Sequence, residues 1–185
     1  MIISITGSEG AGKTTVANML SEQLGYDNYY IGDLRRKAAA TRGMTLDEYN
    51  KYGLTNSSTD TEVDDYAKKL GESQDDFVIQ GRTMWYFIPH SFKIFLSVAP
   101  EEGAERIVNH LKEGAERNET KYKTTKEAMK GLAERNRNDV ERYKKHYGIE
   151  NVHDPKHFDL MIDTTKVSPG DVVNKIIAAL PGDDN

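Results

Sequence analysis

The chain has 185 residues, 37% of them apolar and 30% charged, and a formal net charge of −5, which together suit one soluble globular domain. The negative charge argues against nucleic-acid polymers as partners, and no run approaches the roughly 20 apolar residues that a membrane helix needs. The absence of cysteine excludes disulfides and thiolate metal sites, and it fits the cytoplasm, where we expect the protein to act.

Short β-type runs alternate with helical patterns along most of the chain. The strand-like runs are IISIT, YYIG, FVIQ, FKIFLSV and LMID, and the first and fourth are almost wholly apolar, as in central parallel strands. Apolar residues at helical spacing follow the first and fourth runs, and they return between Val172 and Leu180. This alternation predicts an α/β fold of three α/β/α layers, with a central parallel five-stranded sheet.

Two polar, helical segments without strands interrupt the alternation, at residues 33–75 and 113–150. We expect them to be insertions on the rim of the core. The stretch 106–145, which covers most of the second segment, contains 12 Lys or Arg against 7 Asp or Glu. This local positive charge fits either an anionic ligand or a solvated helical hairpin.

A glycine-rich stretch, GSEGAGKTT, lies between the first strand and the first helix and matches the pattern GxxxxGK[ST]. Glycines let several backbone N–H groups face one anion, and the helix that follows adds its positive end. We expect Lys13 to reach the β- and γ-phosphates of ATP, and the Thr14 hydroxyl to ligate Mg²⁺. The residues of this P-loop (7–15) are Gly7, Ser8, Glu9, Gly10, Ala11, Gly12, Lys13, Thr14 and Thr15.

The P-loop alone leaves GTPases, ATPase motors and kinases open. The guanine-binding pattern NKxD is absent, because neither Asn50-Lys51 nor Asn174-Lys175 is followed by the required Asp. No run of four apolar residues leads into Asp-Glu, so the water activation of motor ATPases has no support. Transfer to a second bound substrate remains, and it requires an acceptor opposite the γ-phosphate.

Two arginines follow predicted strand ends, where α/β folds bind ligands. Arg36 comes after YYI, in GDLRR, and Arg82 comes after FVI, in QGR. Singly, each is more typical of a surface charge. Together, their planar guanidinium groups can clamp the phosphate of an acceptor from two sides.

Six blocks, in chain order and spanning nearly the whole chain, resemble the short archaeal-type cytidylate kinases, relatives of adenylate kinase. They are MIISITGSEGAGKTTVANMLSEQLGY, IGDLRRKAAATRGMTLDEYNKY, FVIQGRTMWYF, FKIFLSVAPEEGAERI, ERYKKHYGI and LMIDTTKVSPGDVV. The P-loop is shared by a very large superfamily, whereas RGMTLDEYNKY and RYKKHYGI are much more specific. The resemblance implies a core (1–32, 76–112 and 151–185), an NMP-binding insertion (33–75) and a lid (113–150) within one domain.

The resemblance also assigns roles to basic residues. It implies that Arg36 and Arg82 hold the acceptor's phosphate and that Arg106 lies where the core leads into the lid. Arg135 and Arg142 are seven residues apart, so they share a helix face and can point together at the phosphates, while Arg137 faces elsewhere. The catalytic residues expected on this basis are Lys13, Arg82, Arg135 and Arg142.

Carboxylates are harder to assign. Relatives usually carry Glu or Asp before the GR pair, whereas this chain has Gln80, so we hypothesise that Asp33 supplies part of the missing charge near Mg²⁺ and the acceptor. Asp60 and Asp64 are four residues apart in the insertion and roughly match family aspartates. They are candidates to bind the cytosine amine, although an acidic helix start explains them equally well.

The sequence therefore predicts a monomeric kinase that transfers the γ-phosphate of ATP to CMP or dCMP with Mg²⁺, and it predicts no metal site made by protein side chains alone. One alternative is a P-loop kinase for another small acceptor, such as UMP, a nucleoside or a metabolite. A different alternative is an ATPase on an adenylate-kinase-like scaffold, which Gln80 favours.

Overall fold

The computed structural model describes residues 1–56, 58–112 and 122–182, apart from the side chains of Ser58, Asp60 and Glu62. The strands are β1 (Ile2–Gly7), β2 (Asp27–Tyr30), β3 (Phe77–Gln80), β4 (Phe92–Ser97) and β5 (Leu160–Asp163). The helices are α1 (Lys13–Leu24), α2 (Ile31–Thr41), α3 (Leu46–Gly53), α4 (Ser58–Ser73), α5 (Met84–Phe87), α6 (Pro100–Lys112), α7 (Thr125–Tyr147) and α8 (Pro169–Ala179).

The five strands form one parallel sheet in the order β2-β3-β1-β4-β5. This confirms the predicted fold. β1 and β3 are buried at every position, which explains why their sequences lack the alternation of a half-exposed strand. The second strand ends two residues earlier than predicted, because Ile31 begins α2 and packs into the core.

Helices cover both faces of the sheet and give it the predicted three layers. One core cluster joins the sheet to α1 and α8, through residues such as Ile5, Leu20 and Val173. The other joins it to α4 and α5, through residues such as Ile79 and Leu70. Each fully buried aliphatic side chain of this kind contributes about 1.5–3 kcal/mol. Among the described residues, no helix is both long and apolar enough to cross a membrane.

The helices between β2 and β3 are joined to the C-terminal end of α7. Lys145 Nζ donates to the carbonyl oxygen of Leu54 at 2.7 Å, and the Tyr147 hydroxyl donates to the Asp64 carboxylate. Gly148, with a φ of +68°, then ends α7 in the left-handed conformation. These contacts hold together helices that lie far apart in the chain.

Candidate active site

The P-loop follows β1, the central strand, and its backbone shape depends on glycine. A Cβ on Gly10 would lie 2.2 Å from the carbonyl oxygen of Gly103 on α6, and Gly10 has a φ of +76°. Gly12, with a φ of +81°, lies directly before α1. The loop can therefore curl against α6 and bring its N–H groups to the N-terminus of α1.

Lys13 and Thr14 are held at the two sides of this loop. Lys13 Nζ donates to the carbonyl oxygens of Gly7 and Ser8, at 2.8 and 2.6 Å. The Thr14 hydroxyl donates to Gln80 Oε1 at 3.0 Å. The P-loop and the end of β3 thus meet through this hydrogen bond to the amide of Gln80.

A cavity of about 560 Å³ lies over the P-loop. It is bounded by α2, α3, the end of β3, α6 and α7. Gly7, Ser8, Asp33 and Asp64 are not part of its described lining. The predicted site residues that line it are Glu9, Gly10, Ala11, Gly12, Lys13, Thr14, Thr15, Arg36, Arg82, Arg106, Arg135 and Arg142.

Arg82 lies between two carboxylates that come from distant parts of the chain. Its guanidinium donates to Glu9 of the P-loop and to Asp139 of α7. Asp139 also lies 2.8 Å from the guanidinium of Arg142, and both of these side chains are about 1–2% exposed. The P-loop, the end of β3 and α7 therefore meet in one charged network.

Asp139 is ionised in this network. Burial by itself raises its pKa, but the charges of Arg82, Arg142 and Arg135 outweigh burial, and the pKa of Asp139 is lowered. Burial lowers the pKa of Arg82, and Asp139 opposes that effect. Sequence reasoning missed Asp139, although it lies four residues after Arg135 and three before Arg142, on the same helix face.

The helices between β2 and β3 bring polar residues to the cavity. Arg36 is mostly buried, and its guanidinium lies 4.7 Å from the centre of the Tyr30 ring. Arg35, Asp47 and Asn50 also line the cavity and were not predicted. Arg35 donates to Asn50 Oδ1 at 3.1 Å, which ties α2 to α3.

Arg106 packs against the P-loop from the side of α6. Its guanidinium donates to the carbonyl oxygens of Thr164 and Thr165, at 3.0 and 3.1 Å, and to that of Gly10 at 3.4 Å. Glu102 accepts from its Nε at 2.7 Å. Arg106 thus braces the nucleotide end of the cavity and the segment that follows β5.

Two of the predicted carboxylates have other surroundings than expected. Asp33, in the first turn of α2, is 58% exposed, pairs with Arg36 at 2.7 Å and is not part of the described cavity lining. Asp64 is buried and accepts from Tyr147, so it joins α4 to α7. Its place argues against a contact with the acceptor base. The side chain of Asp60 lies outside the described residues.

His153 is a half-buried histidine near the same charges. Burial, and then the positive charges of Arg82 and Lys13, lower the pKa of His153 from 6.5 to about 4. Its ring contacts Phe95 edge-on, with 5.2 Å between centroids. The imidazole is therefore neutral at physiological pH.

His153 should make the fold sensitive to acid. Its folded pKa of about 4 lies below the unfolded value of 6.5, so the protein loses stability as pH falls from 6.5 towards 4. Between about pH 7.5 and 5, the wild type should lose about 2 kcal/mol more unfolding free energy than His153→Gln. Urea unfolding of both proteins at the two pH values measures this, and equal losses would contradict it.

The fold and the site together define the class of protein. The parallel sheet carries a P-loop after its central strand, and arginines from α2, α7 and the end of β3 face that loop. This arrangement is that of a P-loop kinase. Such an enzyme is a phosphotransferase, because the cationic residues beyond the P-loop can hold the acceptor of a phosphoryl group.

The chain belongs to the cytidylate kinase-like family, whose sequence profile matches residues 2–166. It is 33% identical to the cytidylate kinase of Natronomonas pharaonis, over 100% of this chain and 93% of that protein. It is also 33% identical to the cytidylate kinase of Pyrococcus furiosus, over 97% of this chain and 88% of that protein. These matches confirm the resemblance found in the sequence.

Solved structures support the fold. The shikimate kinase of Bacteroides thetaiotaomicron superposes with a TM-score of 0.62 at 14% identity, covering 96% of this chain and 97% of that one. A protein from Eubacterium ventriosum gives a TM-score of 0.67 at 20% identity, with 96% of both chains covered. At such identities the likeness concerns the architecture alone.

Proposed function

We propose that the protein is a nucleoside monophosphate kinase that transfers the γ-phosphate of ATP to CMP or dCMP, giving ADP and CDP or dCDP. The observation that carries this proposal is a cavity in which arginines from other elements face the P-loop. A kinase needs such a second cationic end to hold an acceptor, whereas an NTPase that uses water does not. Membership of the cytidylate kinase-like family favours CMP as that acceptor.

The donor nucleotide would bind at the P-loop. Backbone N–H groups of residues 9–13 and the N-terminus of α1 suit its phosphates, and Lys13 would exchange its bonds to Gly7 and Ser8 for phosphate oxygens. Arg106, beside Gly10, would line the nucleoside side of this end.

Mg²⁺ fits the donor end, where Thr14 offers an oxygen whose proton is already engaged by Gln80. The ion, held by Thr14 and by the nucleotide, would offset negative charge on the phosphates. Glu9 and Asp139 are engaged with Arg82, which leaves the hydroxyl of Thr14 as the protein oxygen best suited to it.

The acceptor's phosphate would bind between Arg36 and Arg82. A phosphate oxygen would replace the Glu9 carboxylate on Arg82, since both are anions that accept from a guanidinium. Arg135 and Arg142 would face the transferred group from α7. No general base is required, because the acceptor phosphate is already ionised and nucleophilic at neutral pH, so catalysis rests on alignment and charge neutralisation.

The insertion (33–75) and the lid (113–150) would close over the two nucleotides and exclude water, which otherwise competes for the phosphoryl group. Every group named for the reaction comes from one chain. We therefore expect a monomer to be active.

The acceptor's base would meet α3. Asp47 and Asn50 lie one turn apart on this helix and both line the cavity near Arg35 and Arg36. Cytosine presents an amine donor beside ring acceptors, which a carboxylate and an amide can pair. Asp47 thus takes the role that the sequence suggested for Asp60 or Asp64.

Replacing Asp47 with alanine should raise KM for CMP at least about tenfold and leave KM for ATP within about threefold, because one hydrogen bond to the base is lost. Coupled assays with each substrate varied in turn measure both values. Asp65→Ala, at an exposed aspartate on α4, is the matched control. Equal changes in both KM values would contradict a role for Asp47 in base recognition.

A panel of all ribose and deoxyribose monophosphates with ATP and Mg²⁺ tests the function itself. ADP should form fastest with CMP or dCMP. If another acceptor, such as UMP, a nucleoside or a metabolite, gave the fastest turnover, the substrate assignment would be wrong. ATP hydrolysis that no monophosphate changed would instead point to an ATPase.

A further inference from the structure

Gln80 is fixed at the point where the P-loop and the sheet meet. It is the last residue of β3 and pairs in register with Ile5 of β1, the strand that leads into the P-loop. Gly81 locks this strand end, since its N–H donates to Ile5 O at 3.1 Å and its carbonyl accepts from Thr6 Oγ1 at 2.9 Å. The backbone at Gln80 is therefore held in place beside the strand that leads into the P-loop.

The two ends of this amide have different surroundings. Oε1 accepts the hydroxyl proton of Thr14 at 3.0 Å. Nε2 is buried without a hydrogen-bond partner among the described residues, and the side chain is 2% exposed while lining the cavity. A buried donor without an acceptor is disfavoured, so Nε2 is available to donate to an acceptor that a ligand brings into the cavity.

The chemistry of that ligand follows from the charges around Gln80. Lys13 and Arg82 lie on the lining next to it, and the P-loop backbone supplies further N–H donors. An anionic oxygen is the acceptor that such surroundings favour. A carboxylate at this position would accept from Thr14 equally well, but it would repel an anion instead of donating to it.

We propose that Gln80 is a positioning residue that orients Thr14 through Oε1 and donates through Nε2 to a phosphate oxygen of the bound nucleotide. The site then binds ATP or ADP with less dependence on a divalent cation than it would with an acid in this place. This inference rests on the proposed use of the P-loop for a nucleotide, but it does not depend on which acceptor is phosphorylated.

Titration calorimetry with ATP, in Mg²⁺ and separately in EDTA, tests the proposal on the wild type and on Gln80→Glu. The variant keeps the acceptor for Thr14 but replaces the donor by a negative charge. A negative charge placed beside an anionic oxygen in a buried site repels it strongly, so a tenfold effect is a conservative expectation. Affinity for ATP in EDTA should fall at least about tenfold in Gln80→Glu, while affinity in Mg²⁺ stays within about threefold or rises.

Gln23→Glu adds the same charge at an exposed position of α1 and should leave both affinities unchanged. Gln80→Ala, which loses both hydrogen bonds, should weaken binding in EDTA and in Mg²⁺ alike. Equal losses under both conditions in Gln80→Glu, or unchanged binding in EDTA, would overturn the proposal. If wild-type protein behaved as expected here but phosphorylated no monophosphate, the proposed function would fail while the role of Gln80 stood.

Discussion

Arg82→Lys should lower kcat/KM for CMP by about a hundredfold to a thousandfold, and KM for ATP should change less than about threefold. Lysine keeps the positive charge beside Asp139, so the fold should survive. Lysine lacks the planar guanidinium group of arginine. It therefore cannot contact Asp139 of α7 and an acceptor phosphate beside the P-loop at the same time, as Arg82 can.

Steady-state kinetics with CMP and ATP varied separately would measure this effect. Arg137→Lys is the matched control, because Arg137 is exposed on α7 and is not part of the described cavity lining. It should keep full activity. A loss in Arg82→Lys that fell equally on ATP and CMP, or a loss of similar size in Arg137→Lys, would contradict the assignment of Arg82 to the acceptor.

Asp139→Asn should lower the free energy of unfolding by about 3 kcal/mol, since removing the charge of a buried ion-pair partner leaves the other charge uncompensated. Arg142 would lose the carboxylate that lies 2.8 Å from its guanidinium, and Arg82 would keep only Glu9. Activity should fall as well, because both arginines line the cavity.

The pH dependence of Asp139→Asn has a definite sign. The pKa of Asp139 is lowered in the fold, burial being outweighed by the neighbouring arginines, so its contribution is present above the unfolded value of 3.8 and is lost below it. Urea unfolding should show that the variant has a lower free energy of unfolding than the wild type at neutral pH, and that this difference becomes smaller in acid. Glu141→Gln, at an exposed position of α7, should show neither. If the difference in free energy of unfolding between Asp139→Asn and the wild type were the same at every pH, lost packing alone would explain it.

The parts of the site that follow directly from a strand or a motif could be predicted from the sequence. Lys13 and Thr14 were recognised from the P-loop pattern, and Arg82 from its position after an apolar strand. Carboxyl ends of parallel strands meet at one edge of a sheet, so these residues had to approach one another once the sheet was parallel.

Residues on helices were harder to assign. The spacing of Arg135 and Arg142 predicted a shared face, and both line the cavity. The same reasoning made Asp64 a candidate to bind the acceptor, but its carboxylate accepts a hydrogen bond from Tyr147. Periodicity shows which residues share a helix face, but it does not show which neighbour covers that face.

The sequence by itself determined the family, the parallel sheet and the P-loop, because these depend on local patterns of apolar residues and glycines. Only the tertiary structure decided that Asp139 joins Arg82 to Arg142, that Asp47 faces the cavity, and that Gln80 holds Thr14. Those contacts join residues up to 66 positions apart. Their existence depends on how α3, α7 and β3 pack against one another, which no local pattern encodes.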